Sequence, residues 1–238
     1  HGRENEVDGI MEEYKYVPDV CSFKINELLE KGLKNDALKE IDKAIAVYGD
    51  DGYNTTEPWH LQKIEILEKR NDKASVIEEY RRLFRQFLVD KRPYFEKLKE
   101  LVAKEDWDEF VVKLFEDIPH ITDDDCIEVC DMIVEEKKYQ CLLKILMDNR
   151  MSFSRVALFK KYAHYMSEED QAIYTEHVID DLRKHLSYAK SKSYGYIVDD
   201  IKGMYTCCEV SKKLILDFVE EVEYNYGNRP ALMRLLRN

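Results

Sequence analysis

The sequence predicts an all-α protein, a right-handed stack of antiparallel helix hairpins of the α-solenoid kind. Three observations lead there. A helix–turn–helix signature recurs four times: Leu28–Ile41, Ile66–Tyr80, Leu101–Phe115 and Ile133–Leu146. In each, an apolar helix end runs into a short polar, Lys-bearing turn and a second apolar helix begins at once. Periods of about 20–50 residues built from two helices belong to stacked arrays, where each pair buries its face against its neighbours. Second, no glycine lies between Tyr53 and Tyr194. Sheets need Gly-, Asn- and Asp-rich turns, so this run disfavours strands. Third, apolar residues recur at helical spacing, as in Tyr80, Leu83, Phe84, Phe87 and Leu88, or Leu214, Ile215, Phe218, Val219 and Val222.

Element by element, this reading gives helices near 20–33, 35–49, 57–70, 73–90, 92–104, 106–118, 123–136, 138–149, 153–165, 168–188, 190–206, 209–225 and 229–237. Pro58 and Pro93 suit a first helical turn, where a missing N–H costs little. Pro119 reads as a break. Thr56, Thr122 and Ser167 stand at cap positions, and Asp123, Asp124 and Asp125 favour a helix N-terminus. Ser167 and Asp170 resemble a capping box with Asp in place of Glu. Aligning the four copies on their turns puts Ala37, Ala74, Glu109 and Cys141 at one position. Residues 1–17 form a flexible lead-in. Residues 18–238 form a single helical-repeat domain, with regular hairpins to about residue 150 and irregular, longer helices after it.

Composition narrows the partners. Charged residues make up 36% of the chain, above the usual quarter or so, which suits many solvated helix faces. A net charge of −12 disfavours nucleic acid and anionic membrane surfaces. No run of apolar residues is long enough for a membrane span, and the N-terminus lacks a signal-peptide pattern. The cysteines, Cys21, Cys126, Cys130, Cys141, Cys207 and Cys208, contain no CxxC pair and sit mostly on apolar helical positions. They read as reduced core thiols of a cytoplasmic protein. The chain opens on His1, which suggests the C-terminal part of a longer protein.

Charge is segregated. Tyr80–Lys104 holds eight basic residues, among them Arg81, Arg82, Arg85 and Arg92, and three acidic ones. The next segment, 105–136, holds thirteen acids and one base. Two readings are open: a bipolar surface, with a basic strip for an acidic or phosphorylated ligand and an acidic strip for a basic one, or successive faces that pair with each other. Arg81 and Arg85 lie four apart and share a helix face, where two guanidiniums can fork onto an anion. Sixteen tyrosines are present. Tyr162, Tyr165, Tyr194 and Tyr196 either line a peptide groove in the C-terminal half or pack between helices. His177, Asp181 and His185 share a helix face but lack a ligand from a second helix, so no metal is expected. His60, His120 and His164 stand isolated. No cofactor motif and no catalytic motif occurs: GxSxG, GxGxxG and the P-loop are absent.

The hairpin turns resemble tetratricopeptide-like repeats, without most of that consensus's small residues and final Pro. Three further segments carry a second resemblance: RRLFRQFLVDKRPYFEKLKELVAKEDWDEFVVKLFEDI (Arg81–Ile118), EEKKYQCLLKIL (Glu135–Leu146) and YNYGNRPALMRLLRN (Tyr224–Asn238). Together they look like the helical C-terminal region of bacterial SWIM zinc finger family proteins, over most of residues 20–238. That resemblance implies a helical-repeat part that accompanies a zinc finger. The finger's own CxCxnCxH motif is absent from this sequence, so neither zinc nor nucleic-acid binding passes to any residue here. The expected function is a non-enzymatic protein–protein interaction scaffold that holds a protein or peptide. The alternative is a nucleic-acid-associated accessory domain that uses the basic strip at 80–104.

Overall fold

The computed structural model describes residues 17–49, 56–86, 90–119, 123–148 and 155–237. The 1–17 lead-in falls outside them, apart from Val17, which precedes the first helix. The described residues hold thirteen α-helices and no strand. They are α1 (Pro18–Glu30), α2 (Lys34–Tyr48), α3 (Glu57–Glu68), α4 (Lys73–Arg85), α5 (Arg92–Leu101), α6 (Lys104–Glu116), α7 (Asp123–Glu135), α8 (Leu142–Asp148), α9 (Arg155–Tyr162), α10 (Glu168–Tyr188), α11 (Tyr194–Tyr205), α12 (Glu209–Tyr226) and α13 (Pro230–Arg237). Short 3₁₀ turns at Tyr139–Cys141, Ala163–Tyr165 and Ser191–Ser193 begin or end the helices expected at 138–149, 153–165 and 190–206.

Local chemistry sets the helix ends. Pro58 and Pro93 lie in first turns as expected. The Asp170 amide donates to Ser167 Oγ at 3.1 Å, and that hydroxyl donates to Asp170 Oδ2 at 2.8 Å. Thr56 does not cap α3 with its side chain. Its Oγ1 instead accepts from Gln86 Nε2 at 2.9 Å, where both residues are buried. The Thr122 cap and the Phe87–Leu88 part of its stripe lie outside the described residues. α4 ends at Arg85, short of the expected residue 90. The buried Lys91 ammonium donates to the carbonyls of Phe84 (3.2 Å) and Gln86 (2.6 Å), a cation at a helix C-terminus.

The hairpin turns repeat more closely than their sequences do. After α1, α3 and α7 the chain passes through a left-handed residue: Gly32 (φ 73°), Asn71 (φ 57°) and Lys137 (φ 56°). In each turn the next amide donates back over the helix end: Leu33 to Leu28 (2.9 Å), Asp72 to Leu67 (3.1 Å) and Lys138 to Ile133 (2.9 Å). A second bond, spanning three residues instead of five, accompanies each: Gly32 to Leu29, Asn71 to Glu68 and Lys137 to Val134. This is the Schellman closure. The third hairpin lacks it, since Val102 and Ala103 are extended. Lys137 carries a Cβ in a region that costs about 1–2 kcal/mol for an L-residue. Lys137→Gly should therefore stabilise the protein by about 1 kcal/mol, read from melting of the far-ultraviolet dichroism; unchanged or lower stability would contradict it.

These turns correct the repeat alignment. Ala74 and Glu109 are exposed, whereas Ala37 and Cys141 are buried. Counted from the starts of α2, α4 and α6, and from the 3₁₀ turn at Tyr139 that opens α8, the equivalent fourth residues are Ala37, Val76, Trp107 and Leu142, and all four are buried. The sequence alignment followed the turns, but the common feature is the first inward position of the second helix.

The chain divides into two compact units, His1–Pro119 and His120–Asn238, with the boundary in sequence at the proline read as a break. In the first unit α1 packs on α2, α2 on α3, α3 on α4 and α4 on α5. Its lower core contains Ile25, Ala37, Ile41, Ala44, Ile45, Trp59 and Ile66. Its upper core is aromatic: the Phe95 ring lies 6.0 Å from Phe84, 5.9 Å from Phe115 and 5.5 Å from Trp107, which joins α4, α5 and α6. Hydrogen bonds between alternate helices keep a steady separation: Trp59 to Ser22 over 37 residues, Gln62 to Asn26 over 36, Tyr94 to Glu57 over 37 and Arg81 to Asp117 over 36. Both ends of the α1–α3 pairs advance together, so those helices run parallel.

In the second unit α10 packs on α11 and α12, α11 on α9, α12 and α13, and α8 on α7, α9 and α10. Its hydrogen-bonded separations between helices scatter, from 19 (Tyr174–Arg155) to 51 (Cys207–Val156). Gly203 explains itself here. A Cβ at that position would come within 2.5 Å of Val156 Cγ1, so α9 and α11 meet where only glycine fits. Gly203→Ala should cost about 1–3 kcal/mol by overpacking, and adding Val156→Ala should recover part of that loss in thermal melts.

Candidate functional site

The most concentrated ionic chemistry lies in the second hairpin. α3 and α4 are antiparallel, so His60 and Lys63, one turn apart, face Glu79 and Arg82, one turn apart. His60 Nδ1 lies 2.6 Å from Glu79 Oε2, and Lys63 Nζ lies 2.8 Å from Glu79 Oε1. Lys63 also reaches Asp42 of α2 at 2.7 Å, and Arg82 approaches Glu79 at 3.6 Å. Burial alone would raise the Glu79 pKa, but the bonds and charges of His60 and Lys63 outweigh it and hold the carboxyl below its ordinary value. Burial would likewise lower Lys63, and its two carboxylate partners hold it above the usual value. A histidine oriented by a carboxylate is half of many catalytic arrangements. Here the two side chains are 0% and 4% exposed, with no surface from which a substrate is reached. Together with the Lys63–Asp42 contact, the pair ties α2, α3 and α4 in register.

The basic strip is largely spent inside its own unit. Arg81 bonds Asp117, beyond α6, and approaches Glu78 at 3.7 Å. Arg82 lies against Glu78 and Glu79, Arg92 against Glu96, and Lys97 against Glu100. Arg85 is exposed, with no ion pair among the described residues, so the two arginines that share a face do different things. The tyrosines also part company. Tyr162 is buried and donates to the Ile127 carbonyl (3.1 Å) and Asp131 Oδ1 (2.8 Å). Tyr165 stacks on Tyr139 at 5.3 Å. Tyr194 is buried and accepts from Arg229 at 3.5 Å, whereas Tyr196 is 79% exposed.

Cys126, Cys130 and Cys141 are buried, and all six cysteines are free. Its bond with Cys126, then burial, pushes the Cys130 thiol well up; burial pushes Cys207 up to about 11. His177 meets Asp181 at 3.9 Å, while Asp181 is already shared with Arg155 (3.3 Å) and Lys184 (3.1 Å). Among the described residues no group of three or more His, Cys, Asp or Glu side chains could hold a metal ion, and no helix is long and apolar enough to cross a membrane.

A groove of about 250 Å³ between α10 and α12 is open to a ligand. Ile179, Leu214 and Phe218 form its floor, and Glu176, Asp180, Asp217, Glu221 and Arg183 its rim. Arg183 forks onto Glu221 (2.9 and 2.7 Å), reaches Asp180 (2.7 Å) and lies 5.6 Å from the Phe218 ring centre. Glu221 is held below, and Arg183 above, its ordinary pKa, first by this bond. Sequence reasoning passed over these residues because each helix looks like an ordinary solvated face; the groove exists only once α10 lies beside α12. No protein-family profile, no curated protein and no solved structure matches this chain, so its reading rests on its own geometry.

Proposed function

We propose that this chain is a non-enzymatic helical-repeat module, tetratricopeptide-like in its stacking, that holds a peptide segment of a protein partner. The observation that carries this is the open groove between α10 and α12, whose apolar floor and charged rim suit an extended or helical peptide better than a metal or a small cofactor. The steady separation of 36–37 residues between hydrogen-bonded alternate helices supports stacked hairpins in the first unit. Closure of the His60–Glu79 pair to solvent favours binding over chemistry. Six cysteines free of disulfides fit a reducing, cytoplasmic setting. On the SWIM resemblance, the module would serve a bacterial zinc finger protein whose finger lies outside these residues.

The test is a random-peptide display library panned against the purified chain. Enriched peptides should protect amides of α10 and α12 from hydrogen exchange. Panning that enriches nothing above an empty-carrier background would sink the proposal.

A further inference from the structure

The groove between α10 and α12 already contains one cation seat, filled by the protein itself. Asp180 and Glu221 face each other across it, and the Arg183 guanidinium lies between them over the Phe218 ring. Glu176 stands one helical turn before Asp180, and Asp217 one turn before Glu221. The same pair of carboxylates is thus repeated about 6 Å along the groove. The repetition is consistent with parallel helices: Glu176 and Asp217 are 41 residues apart, as are Asp180 and Glu221, and all four line the groove. At this second seat, however, the chain supplies no cation. Glu176 and Asp217 are exposed and have no ion pair among the described residues. One turn before Arg183 stands Ile179, which extends the apolar floor instead.

We propose that the groove takes a cationic, apolar peptide segment of a partner protein. An aliphatic side chain would sit on Ile179, Leu214 and Phe218, and an adjacent Lys or Arg would sit between Glu176 and Asp217. This rests on the peptide-binding role proposed above and names its ligand chemistry. The volume of about 250 Å³ lies below the ~300–1,000 Å³ of pockets that enclose whole small molecules. It matches one anchoring side chain. Four carboxylates against one guanidinium set the sign of the partner's charge. The bond geometry of Arg183 shows how a partner guanidinium is received there.

The probe is a short fluorescein-labelled peptide with one Leu flanked by Lys residues, titrated into the full chain at low salt and followed by anisotropy. Two controls replace the Leu by Ser and the Lys residues by Glu. The Leu–Lys peptide should bind at least about tenfold more tightly than either control. Its Kd should rise several-fold between ~50 and ~300 mM salt, as exposed ion pairs are screened. Glu176→Lys with Asp217→Lys should weaken it by about tenfold or more. Both positions are exposed, and unchanged circular dichroism will verify the fold. Equal binding of the Ser peptide would mean a non-specific charge effect and overturn the proposal. So would equal binding by the double variant, or protection of helices other than α10 and α12. Library peptides of another composition that protect this groove would overturn the cationic ligand and leave the binding role standing. Failure of both library and probe would remove both.

Discussion

Replacing Glu79 with alanine should destabilise the first unit by about 3 kcal/mol or more. Removing one member of a buried ion pair leaves its partners desolvated and uncompensated, a loss of about 3–5 kcal/mol. Here the abandoned groups are His60, fully buried, and Lys63, 15% exposed. Lys63 keeps Asp42, which tempers the loss. Only two tryptophans are present, Trp59 and Trp107, and both lie in the first unit, so denaturation followed by tryptophan emission reads that unit alone. A midpoint that does not move would refute the structural role of the cluster.

The same residue sets a pH dependence. The Glu79 carboxyl is depressed below its ordinary value of 4.5 in the folded chain. Its stabilisation is therefore fully present above about pH 4.5 and is lost as pH falls through the lower folded value. Glu79→Gln lacks that titration, so its stability should fall less than that of the wild type between neutral pH and pH ~3. Parallel acid limbs for the two proteins would contradict this.

Phe95→Ala should cost a similar amount, about 3–5 kcal/mol. The ring is fully buried and lies against Phe84 of α4 and against Phe115 and Trp107 of α6. α5 meets α6 through these rings, so their loss opens a cavity where two helices are joined. Leucine at the same position keeps most of the volume and should cost about 1.5 kcal/mol or less. Trp107 emission should shift to the red in the alanine variant. Equal stability of the alanine and leucine variants would show that the site collapses without penalty.

The helices were legible because 3.6-residue periodicity reports directly which face is buried. Ser167, Pro58 and Pro93 marked starts because capping and proline geometry are local. What escaped was everything that needs two helices at once. His60 looked isolated, yet it lies ten residues before Arg70 and Glu79 lies nine after it. Residues equidistant from a tight turn meet across an antiparallel hairpin, and that rule would have found the pair. Tyr162 and Tyr196 were indistinguishable as letters; the first packs in a core and the second stands in solvent. Lys137 gave no sign of its left-handed backbone, because lysine is a poor choice there and only the shared closure with Gly32 and Asn71 betrays it. The α10–α12 groove escaped for the same reason, since its carboxylates acquire meaning only opposite one another.

The regular spacing of the first unit has a consequence for synthesis. A hairpin there meets its parallel neighbour 36 or 37 residues along, and the closures inside each hairpin are shorter still. Loops of that length close at small entropic cost, and proteins dominated by such local contacts fold in microseconds to milliseconds. At a synthesis rate of roughly 5–20 residues per second, a finished hairpin waits only about 2–7 seconds for the next one. Apolar faces of the growing chain are thus covered in sequence as they leave the ribosome, rather than all together at its release.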